Sequence, residues 1–183
     1  MWSDARQALL ESHLARITAS ANLPLSWVEN LAVLNFFSEF LPPAEIPSRK
    51  VLTNRLIPDE LRVHRAKVQA QVSGADATGI CDGWTGVNSH HYIVFMLVAL
   101  NESHIVTLHD ASDERKTADI LYDLMLKSIE KMEQEYKVNV IGYTTDSSGE
   151  SKKARKMLAR LRPDLIILPC HSHQVSLLHH MCT

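Results

Sequence analysis

The chain has 183 residues, 45% apolar and 22% charged, an ordinary globular composition with ample length for one packed domain and an extension. Its net charge of −2 excludes a general basic field, so any pull toward nucleic acid has to come from a local patch. The longest apolar run, Tyr92 to Leu100, is too short to cross a bilayer, so no membrane partner is expected.

No basic-then-apolar opening with a small-residue cleavage site points to secretion. Three cysteines fit a reduced intracellular compartment better than a disulfide framework.

Residues 1–72 read as a helical region. Leu9, Leu10, Leu14 and Ile17 recur at helical spacing. Leu23-Pro24-Leu25-Ser26 introduces a second helix, with Ser26 as its expected N-cap. Trp27, Val28, Leu31, Leu34, Phe37 and Phe40 lie along it, and Pro42-Pro43 ends it. Ser48, after Ile46-Pro47, is the expected cap of a third helix. A fourth is expected from Asp59 to Gln71, behind Pro58.

The pattern changes at Ser73-Gly74, and 73–183 read as an α/β core. Strands are expected at 77–82, 92–100 and 104–109, with Asn101-Glu102-Ser103 as a hairpin turn. Helical spacing returns over 113–136, where Ile120, Leu121, Leu124, Ile129, Met132 and Tyr136 share one side. A strand at 138–145, a helix at 148–161 and a short strand at 165–168 follow. From about 172 a last helix begins. No internal repeat is found. The order β-β-β-α-β-α-β-α predicts an α/β fold, an RNase H-like mixed five-stranded sheet flanked by helices, with an N-terminal helical extension. In that order the first and fourth strands are neighbours.

Three motifs carry the chemistry. Asp82-Gly83-Trp84-Thr85 and Thr144-Thr145-Asp146-Ser147-Ser148 each put an Asp at the expected end of a buried strand. Carboxylates at the ends of neighbouring strands suit a shared Mg²⁺, with Trp84 packing beside the first. The serines after Asp146 are the expected caps of the next helix. That helix carries Lys152, Lys153, Arg155 and Lys156, a basic face suited to a phosphate backbone. Cys170 and His173 form a Cys-x-x-His pair, and with His179 and Cys182 the spacing also fits a zinc site. Buried cysteine chemistry is the plainer reading of Cys170.

Taken in order, Asp82-x-Trp84-Thr85, Thr145-Asp146 before a helix, and Cys170-x-x-His173 with Leu177-Leu178 resemble the hAT superfamily of DNA transposases. The stretch from Leu23 to Arg49 is similar to the segment preceding the catalytic core there. The run after Asp146 is similar to fungal-type members. The resemblance implies an RNase H-like core with an Asp, Asp, Glu triad, Mg²⁺ or Mn²⁺ as cofactor, DNA as partner and a nuclear location. It makes Asp82 and Asp146 the first two catalytic, metal-binding carboxylates and lets His173 contact DNA.

The family's third carboxylate, a Glu, follows a helical insertion that these residues do not reach, and no N-terminal zinc finger is present. The expectation is therefore a truncated or domesticated core with impaired strand cleavage. A homo-oligomer or another transposase-derived protein is a further expected partner. The alternatives are a non-enzymatic DNA- or protein-binding module and another RNase H-like nuclease using Glu114 or Glu150.

Overall fold

Ser3 opens the first helix: its hydroxyl accepts from the Arg6 N–H at 3.3 Å, and α1 runs over Asp4–Ser20. The structure, a computed structural model, describes residues 1–170. It divides into two units, Met1–Lys67 and Val68–Thr183, with the boundary inside a helix.

In the first unit the expected second helix is broken in two. Leu25–Glu29 forms a 3₁₀ turn, and Asn30, not Ser26, caps α2 (Leu31–Phe40) by accepting from the Ala32 N–H at 2.9 Å. Ser48 caps α3 (Arg49–Val51) as expected. The chain then passes without a break through a π-turn at Leu52–Leu56 into α4 (Ile57–Val72). Pro58 thus sits inside a helical stretch and not ahead of it. The π-turn just before it widens the ladder where Pro58 has no N–H to donate. Ala15, Val28, Leu52 and Leu56 form this unit's buried core. Beside it the Trp27 indole N–H donates to Thr18 Oγ1 at 2.8 Å.

Gly74, at φ +79°, follows α4 and turns the chain into the sheet, donating its N–H to Lys137 O at 2.8 Å. The strands are β1 (Asp76–Thr85), β2 (His91–Ala99), β3 (Glu102–Asp110), β4 (Asn139–Thr145) and β5 (Ile166–Pro169). They lie in the order β3-β2-β1-β4-β5. The β1–β2 and β2–β3 pairs are antiparallel, whereas β1–β4 and β4–β5 are parallel. This is the mixed five-stranded, RNase H-like sheet expected from the element order.

The hairpin turn falls one residue early, at Leu100 and Asn101, both with positive φ, so that Ala99 pairs with Glu102. Two residues in the left-handed region match the twist of a tight hairpin. Leu100 reads as strand in the sequence only because it is apolar.

Thr117 caps α5 (Ala118–Glu135) by accepting from the Ile120 N–H, which shortens the expected helix and leaves 111–117 as a loop. Ser148 caps α6 (Gly149–Leu161). Both helices pack on one face of the sheet. Met125, Ile129 and Met132 of α5 and Ala154 and Leu158 of α6 are buried with Phe95, Leu97, Val106 and Tyr143 of the strands. The Tyr143 ring lies over Gly79, where a Cβ would come within 2.4 Å of it. Its hydroxyl is 2.8 Å from Ser128 Oγ. On the sheet's other face Ile105, Leu108, Ile166 and Leu168 are exposed.

Candidate metal and nucleic-acid site

β1 does not stop at Asp82. It continues to Thr85, and the last four residues pair with β2 alone: Asp82↔Val94, Gly83↔Ile93, Trp84↔Tyr92 and Thr85↔His91. Asp82 is therefore inside a strand, as the first residue beyond the β4 pairing, which ends at Cys81↔Thr145. Asp146 is the residue after Thr145. The two aspartates thus follow one register pair on adjacent parallel strands.

A bulge sets this alignment. Ala77 pairs with Val140 and Thr78 with Gly142, which leaves Ile141 as the extra residue. Had Ile141 stayed in register opposite Thr78, Asp82 would lie level with Thr145.

Both aspartates line one cavity of about 330 Å³ with Trp84, Thr85, Glu114 and Glu150. Cys81 also lines it, and its thiol is pushed up to about 12, first by burial and then by the charges of Asp146 and Asp82. Asp82 Oδ1 accepts from the Gly83 N–H at 3.0 Å. Asp146 Oδ1 accepts from the Ser148 N–H and Oγ at 3.3 and 3.1 Å. Ser148 therefore caps α6 and orients Asp146 at once, so the capping serines do not leave Asp146 untouched.

Trp84 is 44% exposed, with its ring 5.7 Å from that of Tyr92. Thr85 Oγ1 stands 3.5 Å from His91 Nδ1. His91, which the sequence marks only as a histidine without a partner pattern, also lines the cavity. Its alternation with Ile93 along β2 is the signal that would have placed it there. The Cys170 N–H donates to Thr145 O at 2.7 Å, which puts Cys170 beside the β4 end that carries Asp146. His173, His179 and Cys182 lie outside the described residues, and so does the expected helix from about 172.

The basic helix divides by face. Lys152 and Lys156 are exposed, and Lys153 is exposed but tied to Asp119 at 3.3 Å. Arg155 departs from its expected place on the solvent face. It is only 9% exposed and donates through Nη1 to Thr145 Oγ1 and to the Asp146 carbonyl. Burial lowers its pKa, and the Asp146 charge opposes that shift. The reason lies in spacing, since Ser151, Ala154, Arg155 and Leu158 form the buried stripe of α6. Arg155 therefore braces the Asp146 segment from behind.

The two alternative carboxylates have separate situations. Glu114 Oε1 is 2.9 Å from His109 Nε2, and Glu150 is exposed in the first turn of α6. Among the described residues no three of the His, Cys, Asp and Glu side chains gather closely enough to hold a metal ion.

The profile of a family described as "Domain of unknown function (DUF659)" matches residues 47–181, well over half of the chain. The chain belongs to this family. No curated protein matches it. The DUF659 segment includes Asp82, Asp146 and the whole described sheet. No helix among the described residues is long and apolar enough to cross a membrane.

Proposed function

We propose that the core from Ser73 onward is a transposase-derived, RNase H-like domain of hAT type that binds DNA. In it Asp82 and Asp146 hold Mg²⁺ or Mn²⁺ against a phosphodiester. One observation carries the reading: two carboxylates follow a single register pair on adjacent parallel strands and line one cavity. The DUF659 description names no activity, so the reading rests on residues: Asp82-x-Trp84-Thr85, Thr145-Asp146 and Cys170, in the order of that superfamily.

The donor set suits the ion. Mg²⁺ and Mn²⁺ prefer hard oxygen ligands, and Mg²⁺ is commonly held by one or two carboxylates, with water and substrate phosphate completing the shell. Bound there, the ion would polarise a phosphoryl oxygen and raise the acidity of attacking water. The chain's own part is to fix the carboxylates. The β1 ladder holds Asp82, and Ser148 and Arg155 hold the Asp146 segment. Trp84 lines the cavity beside them and packs against Tyr92.

Two carboxylates place a second ion loosely, so strand cleavage by this core is slow in this reading. A nuclear location and self-association belong to the same proposal. The second reading, a DNA- or protein-binding module without catalysis, draws on the lack of a third converging ligand among the described residues.

The test is incubation of the purified chain with supercoiled plasmid and Mn²⁺, beside Asp82→Ala, together with duplex DNA binding. DNA binding with little or no nicking is the expected result. Efficient nicking that disappears in Asp82→Ala would replace the proposal with an active nuclease using Glu114 or Glu150. Absence of DNA binding would sink the DNA reading altogether.

A further inference from the structure

α6 separates two cavities. Ser148, Glu150 and Ser151 line the carboxylate cavity, whereas Lys152, Arg155 and Lys156 line a second, shallow one of about 470 Å³. Ser147 also lines the second cavity, and Ile167 and Pro169 of β5 are its apolar residues from the sheet. Lys152 and Lys156 are one helical turn apart and have no acidic partner among the described residues. Their neighbour Lys153 is held elsewhere by Asp119.

Arg155 adds positive charge, although its Nη1 is committed to the end of β4. The cavity therefore offers two free ammonium groups and a third cation, with no carboxylate lining it.

We propose that this cavity is a notch for one phosphodiester group of a DNA backbone, distinct from the carboxylate cavity on the other side of α6. The inference rests on the DNA-binding reading above and assigns the contact to particular atoms. The Lys152 and Lys156 ammonium groups supply the charge to its non-bridging oxygens. Lys153 takes no part. A DNA backbone and a free phosphate ion present the same oxygens, so the experiment separates the two sources.

Binding of the full chain to a short duplex is measured by fluorescence anisotropy over a series of salt concentrations, in EDTA. Inorganic phosphate is titrated separately while the Ser147 and Lys152 amides are followed by NMR. Each phosphate contact contributes about 0.9 to the slope of log K against log salt, so Lys152→Ala with Lys156→Ala, which empties the notch of its one phosphate, should flatten the slope by about 0.9 and lower affinity at least about tenfold at low salt. Lys153→Ala should leave both quantities as they are.

DNA binding whose slope survives the double substitution overturns the notch and leaves the DNA reading standing. Amide shifts with phosphate but no DNA binding overturn the DNA backbone as the source, and the DNA reading with it. Binding of neither overturns both.

Discussion

Cys81 precedes Asp82 on β1 and pairs with Thr145, the residue before Asp146, and its environment has a measurable signature. Burial and the two carboxylate charges raise its pKa to about 12 from an ordinary 9.0. A thiol whose folded pKa is raised favours the folded state fully below the unfolded pKa. That contribution is lost as pH climbs from about 9 toward 12, at up to about 1.4 kcal/mol per pH unit for this group. Tyr143, also raised by burial, acts in the same direction.

The expected outcome at pH 8 is that iodoacetamide modifies the half-buried Cys170 and spares Cys81 in the folded chain, as peptide mass spectrometry would read. Denaturant titration should show less alkaline loss of stability in Cys81→Ala than in the parent. Early alkylation of Cys81 would mean that the thiol is not buried as described. None of this is legible in the sequence, because Cys81 stands in an apolar run and reads as core. The aspartates themselves are legible as residue types before small residues. What misleads is Asp82-Gly83, which looks like a turn and is strand, because Trp84 and Thr85 go on pairing with β2.

At the scale of the element, β1 and β4 fit together through a glycine and a tyrosine. Gly79 leaves room for the Tyr143 ring, and an added Cβ would meet it at 2.4 Å, a distance that requires movement of a fully buried side chain. Gly79→Ala should therefore destabilise the protein by about 1–3 kcal/mol through overpacking, measured by denaturant midpoint. A change under half of that would show that the ring has space to move.

Helices and strands are mostly legible here, since their apolar periodicity is strong. The bulge at Ile141 is marked only by Gly142 after it, a residue that suggests an irregular strand without saying which partner register it serves. Yet the extra residue brings Asp146 level with Asp82. Arg155 is an intermediate case. Its type suggests the solvent face, while its distance from Ser151 and Leu158 puts it on the buried stripe.

For the whole molecule, the two faces of the sheet should respond differently to the same chemical change. Leu158, fully buried on the inner face of α6, should cost about 2–5 kcal/mol on replacement by Ala, as cavity-forming core substitutions do. Ile166, on the exposed face, should cost within about 0.5 kcal/mol when changed to Ala. Thermal or denaturant unfolding of the two variants gives the comparison. A large loss at Ile166 would show that the outer face is covered in solution. The element order in the sequence carries the sheet topology but not which face is covered, because β2 is apolar on both sides.

The strand order also dictates a timetable. β1 meets β2 through a short connection, and β2 meets β3 through a two-residue turn, so this meander can close early. Its other neighbour, β4, lies beyond the whole of α5 in the chain. On a ribosome, β1 emerges and pairs on one side while its second row of N–H and C=O groups waits for residues not yet made. Only when β4 zips into that waiting edge does Asp146 arrive beside Asp82. A nascent or half-folded chain therefore carries no carboxylate pair, and the site comes into being in the same event that seals the middle of the sheet.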